Sequence, residues 1–227
     1  MKIQVIAEGS TPEQRVKGEW GLSMLIDGNI LFDTFGYPEI LEKNIRQSGV
    51  EMRKIKKVVI SHNHWDYVSG LKFVFVNTKH PEVYLPQEDY KLYQFCHDYG
   101  AYVFISDDKG GEKEGFRFTG AIKAKLKGDS FVEQGLIIEG KKGPVLVVGC
   151  SHPGILKMVI RAKKLLQKPV YTVIGGLHLK DASSKRILKT AMSLKKTGRK
   201  RGCCRPLHRQ GSLWGVKEEL RPQFSKS

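Results

Sequence analysis

Apolar and polar residues alternate over residues 2–7 and again over residues 23–32, where Asp27-Gly28-Asn29 separates Leu25-Ile26 from Ile30-Leu31-Phe32. Alternation interrupted by an Asp-Gly pair predicts antiparallel strands joined by a tight hairpin. The period then changes. Pro38 opens a stretch to Gln47 with Ile40, Leu41 and Ile45 at helical spacing, closed by Gly49, which predicts a helix with proline in its first turn. Val58-Val59-Ile60 reads as a short buried strand, a helix is expected from Val68, and Glu82-Val83-Tyr84-Leu85 is a strand between two prolines. In the second half, residues 135–139 and 145–148 predict a hairpin, residues 155–167 an amphipathic helix, and residues 170–174 another strand. Strand-rich halves that each run into helices predict an α+β sandwich of sheets with helices outside.

Residues 87–115 do not fit either period. Aromatics crowd residues 90–104, and residues 107–115 are polar and glycine-rich. Such a segment reads either as a lid or insertion, or as a helix and connecting loop with its aromatics in the core.

Length and charge narrow the classes. A chain of 227 residues, 40% hydrophobic, is long enough for a single domain spanning residues 1–227. No uncharged apolar run approaches the roughly twenty residues of a membrane span. Four cysteines lack metal-finger spacing, which points to a reducing cytoplasm. The net charge of +16 is concentrated late: residues 185–227 hold 13 Lys or Arg against two acidic residues, and the first 184 hold 26 against 21. A basic tail, divergent from about residue 197, differs from a basic binding face, so nucleic acid is disfavoured as a partner. Oligomeric state has no signature in the sequence.

The chemistry sits at strand ends. In extended backbone, side chains two apart share a side, so His62 and His64 can present both imidazoles to one ion, with Asp66 next along. His152 and His178 leave later strands in the same way. This combination predicts a divalent metal site; the plain alternative is that these are solvated or core histidines. Gly175 and Gly176 either let backbone approach a ligand or only make a turn, and Ser151 to Gly154 either offers free N–H groups to a phosphate or only starts a helix. His80 and His97 lie outside any motif.

Ser61-His62-Asn63-His64-Trp65-Asp66-Tyr67 resembles the His-x-His-x-Asp-His signature of the metallo-β-lactamase superfamily, and Leu31-Phe32-Asp33-Thr34 resembles its upstream structural aspartate. Trp20-Gly21-Leu22-Ser23, Gly149-Cys150-Ser151-His152-Pro153-Gly154-Ile155 and Ile174-Gly175-Gly176-Leu177-His178-Leu179 are similar to the branch that includes dihydropterin-aminobenzene-phosphate synthase of methanopterin biosynthesis. The resemblance implies a four-layer αββα sandwich. It also implies that His62, His64 and His152 hold one metal, and that Asp66 with His208 belongs to a second position. His178 becomes a ligand or a substrate contact. Two departures bear on the second position. Tyr67 stands where the signature has a histidine, and a phenol with an ordinary pKa of about 10 is a poor ligand at neutral pH. Ile174-Gly175-Gly176 offers no bridging aspartate.

These readings together predict a metal-dependent hydrolase or transferase acting on a phosphorylated, pterin-like small molecule. Zinc is the first candidate, with manganese, iron or magnesium as alternatives, at one or two ions per chain. Asp66 would handle a proton while the metal activates water or polarises an oxygen. Tyr67, Ser151, Gly175, Gly176 and His178 would line the substrate. The competing readings are a phosphodiesterase or nuclease of the same superfamily, and a non-catalytic ligand-binding protein with a degenerate second metal position.

Overall fold

The computed structural model describes residues 1–9, 20–113, 115–179 and 182–197, together with the backbone of Cys203–Cys204 and Val216–Lys217. His208 lies outside the described residues. The two short C-terminal pieces pair antiparallel, Cys203 opposite Lys217 and Cys204 opposite Val216.

The alternating N-terminal pattern folds as β1 (Ile3–Glu8), β2 (Leu22–Ile26) and β3 (Ile30–Phe32), an antiparallel meander turned at Asp27 and Gly28. Three further strands continue the same sheet in parallel: β4 (Lys57–Val59), β5 (Glu82–Leu85) and β6 (Tyr102–Ile105). Parallel neighbours need crossovers, and helices supply them. They are α1 (Pro38–Gln47), the consecutive short helices α2 (Trp65–Val68) and α3 (Leu71–Asn77), and α4 (Tyr90–Asp98). The Asp89 carboxylate accepts the Leu92 N–H at 3.0 Å and caps α4.

A second sheet, in the order β13-β12-β11-β8-β7, is built from β7 (Glu112–Lys113), β8 (Phe116–Phe118), β11 (Leu136–Gly140), β12 (Gly143–Val148) and β13 (Thr172–Gly175). Between its second and third strands in sequence, β9 (Ile122–Leu126) and β10 (Asp129–Glu133) form a separate hairpin. The helix α5 (Ile155–Leu166) crosses from β12 to its parallel neighbour β13, and α6 (Ser184–Thr197) follows.

Three apolar clusters stack these layers. Leu41, Ile45, Leu71, Val74 and Leu92 from the helices meet Leu31, Val58, Val83 and Leu85 on the outer face of the first sheet. Met24, Ile26, Phe32, Val59 and Tyr84 meet Phe116, Phe118, Leu136 and Val147 between the two sheets. Ile155, Met158, Val159 and Ala162 of α5 cover Ile137, Leu146, Val148 and Val173 on the far side. The result is the α/β/β/α sandwich that alternating burial on both faces of two sheets requires.

Two local expectations change. The helix placed from Val68 begins at Trp65, because the His64 carbonyl accepts the N–H groups of both Tyr67 and Val68. Asp66 therefore lies in a first helical turn and does not continue an extended run. In the aromatic segment, Tyr102–Ile105 completes the first sheet as its edge, and Tyr90 and Tyr102 are exposed at 80% and 63% instead of filling the core.

Candidate metal centre

The site lies where β4, β10, β12 and β13 end. After β4, Ile60 and Ser61 carry the chain to His62, which is fully buried, and to His64, which is half-buried. His152 follows β12 and is also close to fully covered, with its side chain 3% exposed. The rings of His62 and His64 are 4.5 Å apart between centroids, His62 and His152 4.7 Å, and His64 and His152 4.9 Å. One nitrogen from each lies within 4.8 Å of the others. The structure thus brings together three residues separated by ninety positions of sequence.

Each buried imidazole is oriented by a partner on its other nitrogen. The Asp33 carboxylate accepts the Ser61 N–H at 2.7 Å, and His62 Nδ1 lies 2.8 Å from the Ser61 hydroxyl oxygen. With Nδ1 engaged by that hydroxyl, Nε2 is the nitrogen His62 has left to offer a cation. That Nε2 is buried and has no hydrogen-bond partner among the described residues. Burial pushes the His62 pKa down to about 3, and burial also lowers that of His64, so both are neutral imidazoles near pH 7, the form a cation binds. A buried acceptor with nothing to accept is costly unless an ion or water fills the space. The donor set fits a divalent cation of borderline softness such as zinc.

The second brace is Glu133, at the end of β10, and the sequence reading missed it. Its Oε1 accepts the N–H groups of Cys150 at 3.0 Å and Ser151 at 2.7 Å. Its Oε2 accepts the His152 N–H at 2.8 Å and His152 Nδ1–H at 3.0 Å. Burial alone would raise the Glu133 pKa, yet its interaction with the His62 and His152 imidazoles, the His152 hydrogen bond and the Ser151 N–H hold it below the ordinary carboxylate range. The carboxylate fixes His152 with Nε2 facing the site. It also bears on the two readings left open for Ser151 to Gly154: the N–H groups of Ser151 and His152 are occupied by the protein's own anion. A cue was present: Glu133 interrupts Phe131-Val132 and Gly135-Leu136, a carboxylate inside an apolar run.

Other candidates fall around this core. Asp66 is half-buried, and burial raises its pKa. Tyr67 is 5% exposed, packs its ring 4.3 Å from His62, and shares a hydrogen bond with Cys150. Burial raises its pKa far above the ordinary phenol, so it remains neutral. Ser151 is buried with its hydroxyl donating to the Gly176 carbonyl at 2.7 Å. A Cβ at Gly175 would lie 1.9 Å from the Val148 carbonyl oxygen, and one at Gly176 2.6 Å from that of Gly149, so backbone packing already demands glycine at both positions. His178 is exposed, with its ring 4.6 Å from that of His152. Phe131 of β10, also unforeseen, sets its ring 4.6 Å from His64 and 5.1 Å from His152, forming an apolar wall over the cluster. His80 and His97 lie elsewhere; the His80 ring bonds the Gly100 carbonyl, and His97 stacks on Tyr93.

The sequence model of the metallo-β-lactamase superfamily matches residues 21–164, a span that contains Asp33, His62, His64, Asp66, Glu133 and His152. The chain belongs to the metallo-β-lactamase superfamily. Within that superfamily it is 30% identical to the 7,8-dihydropterin-6-methyl-4-(β-D-ribofuranosyl)-aminobenzene-5'-phosphate synthase of Methanocaldococcus jannaschii, covering 81% of this chain and 79% of the relative. An uncharacterized protein of the same archaeon is 26% identical over 80% of each chain. Among solved structures, a metal-dependent hydrolase of the β-lactamase superfamily superposes with a TM-score of 0.68 at 23% identity, over 86% of this chain and 84% of the other. Human tRNase Z, short form, superposes with a TM-score of 0.57 at 15% identity, over 88% and 89%. Both show the shared metallo-β-lactamase fold.

Proposed function

We propose that the protein is a metal-dependent enzyme, a hydrolase or transferase, acting on a phosphorylated, pterin-like small molecule. The observation that carries this reading is the set of three convergent imidazoles, two of them locked by Asp33–Ser61 and by Glu133 with a nitrogen directed at a common point. His62, His64 and His152 hold the cation. Bound there, a divalent ion supplies Lewis acidity to a phosphoryl or hydroxyl oxygen of the substrate.

This chain's own groups do the rest. Asp66, with its pKa raised by partial burial, is suited to take and return a proton at its carboxylate. Phe131 excludes water from one side and offers an apolar face to a planar ring. His178, at the exposed rim, can donate to a phosphate. The substrate class is supported by the synthase relative, which is named for making a pterin-linked aminobenzene phosphate. No described helix is long and apolar enough to cross a membrane, and Cys96 and Cys150 are free thiols, which fits a cytoplasmic protein.

The test is to load the protein with zinc or manganese and incubate it with phosphorylated pterin precursors and, separately, with generic phosphodiesters, following products by mass spectrometry. Turnover of the pterin set that is lost in His64→Ala supports the proposal. Turnover of phosphodiesters alone would replace it with the phosphodiesterase reading. A tightly bound ion without turnover of either set would favour the binding protein, for which the buried neutral Tyr67 at a signature position is the supporting feature.

A further inference from the structure

The last strand of the first sheet, β6, pairs with β5 on one side and with no strand among the described residues on the other. Its Tyr102 N–H donates to the Pro81 carbonyl at 3.0 Å, and the Ser106 N–H just beyond its end donates to the Leu85 carbonyl at 2.8 Å. Backbone groups of alternate residues in a strand point to opposite sides, so Val103 and Ile105 turn their N–H and C=O groups outward. Natural edges are blunted by proline, charge, a bulge or a covering segment. Tyr102–Ile105 has no proline and no charged residue, its register with β5 is unbroken, and Tyr102, Phe104 and Ile105 are exposed. Tyr93 and Tyr99, in and just after the helix that leads into β6, are exposed as well. An open apolar edge among tyrosines has the composition of an interface core.

We infer that β6 is a dimerisation edge: two copies of this chain pair it antiparallel about a two-fold axis at Phe104 and join their six-stranded sheets into one. The open backbone groups choose the register. Pairing Val103 with the partner subunit's Ile105, and Ile105 with the partner subunit's Val103, lets all four residues exchange N–H···O=C bonds. Sliding the partner by two residues sets Ile105 against the partner's Ala101, whose N–H is held by the Cys96 carbonyl. Sliding it the other way sets Val103 against the partner's Asp107, whose carbonyl is held by the Ala121 N–H. In the favoured register Phe104 faces its own copy across the axis, at the kind of pair where cross-strand side chains approach most closely. Its ring is already fixed within each copy by Tyr84, stacked at 5.2 Å, and by Lys113 Nζ, 4.6 Å from its centroid. Charge fits the same arrangement. Lys79 and His80 are exposed at the end where β6 begins, with the His80 ring bonded to the Gly100 carbonyl, and Asp107 and Asp108 are exposed where it ends. Antiparallel pairing sets the basic end of each copy against the acidic end of the other, twice per dimer, whereas parallel pairing would set like charges together. The contact is isologous and closes at two copies.

The inference does not rest on the metal centre. Sedimentation equilibrium of the full chain over roughly 1–100 µM should give a mass of twice 25.7 kDa at the upper end, falling toward one chain on dilution. Hydrogen exchange on the unmodified protein needs no variant to fold: the amides of Val103 and Ile105 should exchange freely in the dilute sample and be protected in the concentrated one, while those of β12 behave alike in both. Val103→Pro removes an outward N–H at an edge, where proline is tolerated, and Ile105→Lys sets an ammonium into the pairing. Each should weaken the dimer by about tenfold or more while the chain keeps its wild-type circular dichroism. Ile160→Lys, which changes an exposed aliphatic residue on α5, should leave the dimer as it was. A single-chain mass over the whole range, an open series larger than the dimer, equal exchange of Val103 and Ile105 at both concentrations, or a dimer that both substitutions leave as strong as wild type overturns the inference.

Discussion

Replacing Glu133 with glutamine isolates the brace that positions His152. The two carboxylate oxygens accept four bonds, three from backbone N–H groups and one from His152 Nδ1, all in a fully buried setting. Glutamine keeps the shape but turns one of the two oxygens into an NH2 group. Whichever way the amide is turned, two of the four donors then face another donor. Each buried donor left without an acceptor costs about 1–3 kcal/mol, so the metal-free variant should lose on the order of 2–6 kcal/mol of folding stability. Loosening a ligand's outer hydrogen bond should separately weaken zinc binding by about 10–100-fold. The pH dependence has a definite sign. The Glu133 pKa in the folded protein lies below the ordinary value of 4.5, so the folded state binds that proton less readily than the unfolded chain. Its contribution is complete above about pH 4.5 and is lost as pH falls through the lower folded value. Urea unfolding of metal-free wild type and Glu133→Gln, from pH 7 down to the acid limit, measures both quantities, and competition with a chromophoric chelator gives the zinc affinity. Two variants alike within 0.5 kcal/mol at pH 7, with equal zinc affinity, would refute the reasoning.

Gly149→Ala should reduce both stability and metal affinity, because its Cβ would lie 2.1 Å from Ser61 Oγ and displace the serine that orients His62; a thermal midpoint and chelator competition matching wild type would contradict this. Ser61→Ala removes the hydroxyl that holds His62 Nδ1 and should weaken zinc binding by about tenfold with a smaller change in folding, read by the same competition assay. Burial pushes the Cys96 thiol up to about 12, so mass spectrometry should find Cys96 unlabelled by alkylating reagents at pH 8 until the chain unfolds; labelling at the rate of an exposed thiol would show that α4 does not cover it.

The fold was legible where one periodicity held for several residues. The hairpin at Asp27-Gly28, the helix at Pro38 and the α5 stripe each combine a strong pattern with a turn or cap signal, and the structure places each within a residue or two. The strands β6, β7, β8, β9 and β10 were not read, because they are two to five residues long and their burial depends on partners far along the chain. Tyr102 and Phe104 lie on an exposed edge, where aromatic content says nothing of depth. At the site, the ligand candidates were legible because imidazoles at strand ends are a local signal. Their supports were not. Glu133 acts through donors 17 to 19 residues away, and Ser61 bonds an aspartate 28 residues before it. Only the close approach of the two sheet ends gives those residues a common purpose. The two readings of Ser151 to Gly154 stayed open for that reason: sequence showed the donors and could not show that an internal carboxylate reaches those of Ser151 and His152.

His62, His64 and His152 are proposed to hold a divalent cation. Elemental analysis of protein equilibrated with zinc and passed through a weak chelator tests it most directly. One ion per chain should be retained in wild type and in His97→Ala, and little or none in His62→Ala, His64→Ala or His152→Ala. Equal metal content in His64→Ala and His97→Ala would contradict it.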